Sequence, residues 1–212
     1  MKTKALISLV IFGACAVRAM AETNIYSDNV VGLYKVVCPA NQYQLLANQL
    51  HTTNDVLSTV IPNAPPNSIL QKFNAGYTAY SFDDVDLAWV PDGNVSLKPG
   101  EGGFFKSPVT TTLTFVGEVM QGSLTNTLPR GQYAIRASIV PQNGRVTTDL
   151  GLPAEPNDIL QNYTLGYTAY SFDDVDLVWV PFEPSNTVGR AFWYVKALSN
   201  THTNWIRNFT VQ

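Results

Sequence analysis

The chain has 212 residues, 45% of them hydrophobic, and a formal net charge of −3. That is enough material for one sizeable core or two small ones. A mildly acidic balance with scattered Lys and Arg carries no electrostatic footprint for nucleic acid or anionic lipid.

The start reads as a secretory signal over residues 1–21. Lys2 and Lys4 form a short basic head, residues 5–17 an apolar stretch, and Ala19-Met20-Ala21 places small residues where a signal peptidase reads. Cleavage after Ala21 is expected, with a product beginning at Glu22 and bound for the periplasm, the exterior or the cell surface. The apolar stretch is too short for a comfortable membrane span. A lipoprotein signal at Phe12-Gly13-Ala14-Cys15 is the rival reading, with Phe12 a poor first residue for it. Cleavage removes Lys2, Lys4 and Arg18, leaving ten basic residues against 16 acidic ones, a charge of −6. It also removes Cys15, so Cys38 stands alone and no intramolecular disulfide is expected. Cys38 ends an apolar run and reads as a small buried hydrophobe.

Beyond the signal the chain reads strand after strand. Residues 33–38 alternate around Lys35 and stop at Pro39. Residues 43–47, 69–73, 77–82 and 87–90 follow, then 103–106 and 111–119. Clusters such as Asn63-Ala64-Pro65-Pro66-Asn67, Asn74-Ala75-Gly76 and Pro91-Asp92-Gly93-Asn94 mark the turns. One segment leans toward helix: Asn54-Asp55 is placed to cap a short one through Val60, stopped by Pro62. Its counterpart, residues 144–150, is Thr-rich and not plainly helical.

The pattern then repeats. Residues 76–87 (GYTAYSFDDVDL) return unchanged as 166–177, and Trp-Val-Pro follows each time, at 89–91 and 179–181. At the same offset of 90, Gly32 falls on Gly122, Tyr43 on Tyr133, Ala47 on Ala137 and Asn67 on Asn157. After Pro91 the copies drift: 100–105 corresponds loosely to 189–194, and 112–116 loosely to 206–210. The period is too long for a solenoid. The expected fold is all-β: two homologous β-sandwich or barrel-like units of about 90 residues in tandem, 22–119 and 120–212. Within 77–82, Tyr77, Ala79 and Ser81 share one side, and Thr78, Tyr80 and Phe82 the other. Aromatics on both faces fit a strand between two layers, or one face in a core and one at a contact between repeats.

The sharpest chemical feature is the acidic run Asp83, Asp84 and Asp86, repeated as Asp173, Asp174 and Asp176. Clustered carboxylates could bind calcium, although the glycine and distal Glu of an EF-hand loop are missing. The plainer alternative, which carries more weight, is a turn whose Asp side chains accept backbone N–H bonds. Trp89, Trp179, Trp193 and Trp205, with many Tyr, are candidates for stacking on sugar, with two copies giving avidity. Against that, Trp-Val-Pro directly after a turn favours core packing. Two symmetric triplets do not make the paired carboxylates of a glycosidase. His51 and His202 are not repeat equivalents, and no nucleophile elbow or His/Cys metal spacing occurs. The glycine-rich Lys98-Pro99-Gly100-Glu101-Gly102-Gly103 leads into a strand, with no helix to receive an anion. No catalytic residue, metal ligand or cofactor is assigned. Three sequons, at Asn94, Asn162 and Asn208, matter only in a eukaryotic secretory pathway.

Leu45-Leu46-Ala47-Asn48, Tyr77, Trp89-Val90-Pro91, Pro99-Gly100-Glu101-Gly102, Phe104-Phe105 and Phe115-Val116-Gly117-Glu118 together resemble a family of exported, mostly uncharacterised bacterial proteins. In that family a unit of this length commonly occurs twice after a signal peptide. The resemblance covers nearly all of the mature chain and implies an exported all-β module, without an activity or site residues. Gln49 stands where the family tends to have Pro, Gly102-Gly103 adds a glycine, and the second copy has Gly189-Arg190-Ala191-Phe192-Trp193-Tyr194 in place of the signature. The expectation is a non-enzymatic structural or protein-interaction protein with a protein or glycan partner at the cell surface. The alternative is a carbohydrate- or calcium-binding module using the repeated aromatic and Asp segment. A hydrolase built on the Asp triplets ranks third.

Overall fold

The alternation of apolar and polar residues in 30–38 becomes a long strand with Tyr34, Val36 and Cys38 inward and Leu33, Lys35 and Val37 outward. The structure is a computed structural model and describes residues 30–211. The signal, its cleavage site, the lipoprotein alternative and Cys15 lie outside the described residues.

The first copy contains β1 (Val30–Cys38), β2 (Gln44–Ala47), α1 (Leu57–Val60), β3 (Ile69–Phe73), β4 (Tyr77–Phe82), β5 (Trp89–Val90), β6 (Gly102–Lys106) and β7 (Thr111–Val119). β1 pairs with β7, and the other strands form a sheet in the order β2-β6-β3-β4-β5. The second copy contains β8 (Gly122–Thr127), β9 (Tyr133–Arg136), β10 (Gly144–Arg145), β11 (Ile159–Tyr163), β12 (Tyr167–Phe172), β13 (Trp179–Val180), β14 (Ser185–Asn186), β15 (Phe192–Val195) and β16 (Asn204–Phe209). β8 pairs with β16, and the larger sheet runs β9-β15-β11-β12-β13, the same order. All of these strand pairs are antiparallel. The fold is all-β, in two similar units. The β10-β14 pair has no counterpart among the strands of the first copy.

Each copy buries one face of its five-stranded sheet against its two-stranded ribbon. In the first, Tyr34, Val36, Leu113 and Phe115 of the ribbon meet Leu46, Leu70, Phe82 and Phe105 of the sheet. In the second, Trp205 and Leu128 meet Leu160, Tyr170, Phe192 and Tyr194. Side chains of this size contribute about 1.5–3 kcal/mol each when fully buried. Tyr34 stacks on Phe115 with 4.7 Å between ring centroids. Its hydroxyl donates to Ala47 O and accepts from Gln49 N–H, so its polar end is satisfied inside the core.

Two local expectations change. α1 is a single turn whose N-cap is Val56. Asp55 turns its carboxylate back to Thr52 N–H (2.7 Å) and to His51 Nδ1 (2.7 Å). Asn54 instead accepts from the Thr59 hydroxyl at 2.9 Å. The 144–150 counterpart forms β10 and then turns, with no helix, in line with its Thr-rich sequence. The strand register also corrects the last stretch of the repeat. Gly32 pairs with Gly117 and Gly122 with Phe209, so Trp205, not Arg207, occupies the place of Leu113.

The two copies share a core. β2 alternates Leu45 and Ala47 toward the other copy with Leu46 toward its own. β6 does the same with Phe104 and Phe105, and β15 with Trp193 between Phe192 and Tyr194. Backbone bonds join the edges reciprocally: Ala47 N–H donates to Gly189 O, and the equivalent Ala137 N–H to Gly100 O, both at 3.0 Å. The bridges Leu46↔Arg190 and Glu101↔Arg136 complete a closed circuit of β6, β2, β15 and β9. The circuit is tight. A Cβ on Gly102 would lie 2.3 Å from Leu46 O and 2.7 Å from Ala191 Cβ, which is why a glycine stands there. Gln49, fully buried, crosses the same junction. Its Nε2 donates to Ser138 O and Val140 O, and its Oε1 accepts from Gly189 N–H.

Candidate functional site

The repeated segment runs through three places in each copy, and the structure separates them. At its far end, Asp83 opens a turn closed by its own N–H to Ala88 O, with Leu87 in the left-handed region. Asp83 Oδ1 accepts from Val85 N–H and Asp86 N–H, both at 2.8 Å. Asp173 does the same with Val175 and Asp176. These backbone bonds hold both carboxyls below the usual carboxylate range. Asp84, Asp86, Asp174 and Asp176 are exposed. Among the described residues, no group of three or more His, Cys, Asp or Glu is placed to hold a metal ion.

Just past the turn, Trp89 and Trp179 are buried, 4% and 5% exposed. Trp89 lies edge-on to Phe82 and donates Nε1–H to Ile61 O at 2.8 Å. Trp179 lies edge-on to Phe172 and donates to Thr147 Oγ1 at 2.8 Å. Neither ring offers a face to a sugar.

The third place is the start of the segment, and there the two copies converge. The hairpins β3-β4 and β11-β12 turn at Ala75 and Leu165, both with positive φ, and bring Tyr77 and Tyr167 to the junction. Phe73 and Tyr77 lean on Trp193 of the other copy, with Phe73 4.7 Å away. Reciprocally, Tyr163 and Tyr167 lean on Phe104, with Tyr163 5.0 Å away. Phe104 and Trp193 meet at the centre, 6.4 Å apart. Tyr43 and Tyr133 flank them at 6.0 Å. Edge-to-face packing of this kind holds rings in defined orientations. Tyr77, Tyr167 and Tyr133 nonetheless remain 51%, 55% and 40% exposed.

The result is an aromatic seam with hollows along it. One, of about 240 Å³, is lined by Phe73, Tyr133, Gln161, Tyr167 and Trp193. Trp193 Nε1 is buried there and finds no acceptor among the described residues. On either side lie equivalent clefts. The larger, about 440 Å³, carries Lys72, Glu101 and Arg136; the smaller, about 200 Å³, carries Gln44, Asn162 and Arg190. Partial burial of the ring against the seam pushes Tyr77 up to about 12, helped by the neighbouring Tyr167 phenol. Burial alone would raise Glu101, yet Lys72 at 2.9 Å, Lys98 N–H and the Ser96 hydroxyl hold it below its ordinary value. The seam can stack and hydrogen-bond a ligand through ring faces, amides and hydroxyls.

Sequence reasoning raised Trp193 among the tryptophans that suggest a sugar platform and placed Tyr77 on one face of its strand, but did not single out Phe73, Tyr163, Phe104, Tyr43 or Tyr133 as site residues. The usable signal was that Tyr43/Tyr133 and Phe73/Tyr163 stay aromatic across the offset of 90. No family model, curated protein or solved structure matches the chain. Among the described residues, no helix is long and apolar enough to cross a membrane.

Proposed function

We propose that the protein is an exported, non-enzymatic interaction protein of a bacterial periplasm or cell surface, and that the aromatic seam is the surface it presents. The observation carrying this reading is the pair Tyr77 and Tyr167, half-exposed on a seam that neither copy builds alone. The other distinctive residues of the repeat are engaged locally, Trp89 and Trp179 in cores and Asp83 and Asp173 in turns. Exposed aromatic groups on a rigid frame bind at low entropic cost, because little freedom is left to lose. The basic head, apolar stretch and small-residue site at the start of the sequence support export.

A second reading, carbohydrate binding at the same seam, is favoured by Gln161 beside the rings of Phe73, Tyr133, Tyr167 and Trp193. An amide next to stacked ring faces suits the alternating polar and apolar faces of a sugar.

One experiment tests both. The full chain and a Tyr77→Ser/Tyr167→Ser variant are compared on a glycan array and in cross-linked capture from the envelope fraction of the source cells. A specific glycan or protein held by the parent and lost by the variant supports the seam. A partner held equally by both, or an inert chain that holds none, contradicts it.

A further inference from the structure

At one fully buried point the second copy carries charges that the first lacks. Where β3 meets β6, Ser68 and Ser107 lie beside each other just outside the register pairs, both fully buried. At the equivalent point of β11 and β15 the second copy has Asp158 and Lys196, again fully buried. Phe105 is likewise replaced by Tyr194. A carboxylate and an ammonium taken out of water together need full hydrogen bonding to be tolerated, and the set around them does more than satisfy them.

We propose that Lys196 and Asp158 join in an intramolecular isopeptide bond, formed by the folded chain itself. Lys196 Nζ lies 2.8 Å from Asp158 Oδ2 and 2.8 Å from a carboxylate oxygen of Glu155, and its third donor goes to Pro153 O. Glu155 is thus placed as the base that takes a proton from the ammonium and exposes the nitrogen lone pair. Its other oxygen is held by His202 Nδ1 at 2.9 Å. Asp158 Oδ1 faces two donors, Ala197 N–H at 2.9 Å and Asn200 Nδ2 at 2.8 Å. They stabilise the negative charge that collects on Oδ1 when nitrogen adds to Cγ. Oδ2 accepts from the Tyr194 hydroxyl at 2.5 Å and from Glu155 N–H at 2.9 Å, which steadies it as the departing oxygen.

The step balances. The C–N bond forms and the Cγ–Oδ2 bond breaks. The ammonium keeps one of its three protons as the amide N–H. The other two leave with Oδ2 as water: one crosses directly from Nζ to Oδ2, 2.8 Å away, and neutralises the carboxylate before nitrogen adds, and the other is carried by Glu155, which ends as it began. No oxidant or reductant is involved. Exclusion of bulk water favours condensation and protects the amide from hydrolysis. The product ties the start of β11 to the end of β15, a covalent clamp that a surface-exposed protein can use.

The test is the mass of the purified full chain, with peptide mapping after proteolysis. The parent is expected to be lighter by one water, and a branched peptide is expected to contain both Asp158 and Lys196. Lys196→Arg, which keeps the charge but not the nucleophile, should have its full sequence mass. Glu155→Gln, checked for native circular dichroism, should retain the ion pair but stay mostly unlinked. Unlinked Asp158 and Lys196 peptides from the folded parent would overturn the proposal and leave a plain buried ion pair. So would a water loss that maps elsewhere, such as to Asp92-Gly93. Complete linkage in Glu155→Gln would overturn the role given to Glu155.

Discussion

Gln49 Oε1 accepts the N–H of Gly189 at 2.7 Å, across 140 residues of chain. With Nε2 on Ser138 O and Val140 O, this one side chain stitches the first copy to two separate segments of the second. Gln49→Ala removes three hydrogen bonds and strands their buried partners, so we expect a loss of about 2–4 kcal/mol in stability. Urea denaturation measures it. A loss below about 0.5 kcal/mol, the range of a neutral surface change, would mean the stitch is incidental.

Trp89 and Trp179 are expected to matter for stability and not for recognition. Trp89→Phe keeps most of the packing but leaves Ile61 O without its donor, a cost of about 1–3 kcal/mol. Trp179→Phe removes the bond to Thr147, whose hydroxyl can turn elsewhere, and should cost less. Thermal denaturation of the two variants checks the order, and any ligand retained at the seam should bind both as it binds the parent.

Acid should weaken the junction through Glu101. Its folded-state value lies below the ordinary carboxylate value of roughly 4.3. The stability it contributes is therefore fully present above that pH and is lost as the pH falls through the lower folded value. Glu101→Gln should flatten this part of the pH–stability curve and also lower stability at neutral pH, where the Lys72 ion pair is missing. Denaturation midpoints of parent and variant between neutral pH and pH 3 separate these outcomes.

Cys38 is free and fully buried, and burial pushes its thiol up to about 11. Alkylation at neutral pH, read on the peptide containing Cys38, should be negligible in the native protein and complete in denaturant. Fast labelling of the folded chain would contradict this burial.

Much of the fold was legible because it follows from local periodicity. Residues 33–38 alternate, the turn clusters sit between runs, and the offset of 90 carries one unit onto the next. The cap at Val56 was not legible because Asp55 has a competing use, the Thr52 N–H. The seam was not legible because it joins strands far apart in the chain. Residues 77–82 carry aromatics on both faces, and only the pairing of β2 with the approach to β15 decides that Tyr77 faces the other copy while Phe82 faces its own core. Trp89 and Tyr77 are both large aromatics in the same repeated segment; their different fates follow from where the turn after Phe82 directs the chain.

The central claim is that the two repeats are one body, and equilibrium unfolding of the full chain tests it most directly. Hydrogen exchange read along a denaturant series reports β1 and β7 of the first copy separately from β8 and β16 of the second. A shared core with reciprocal edge bonds predicts coincident transitions for both ribbons, and Gln49→Ala should shift the two together. Two separate transitions, with one ribbon protected after the other has opened, would contradict it.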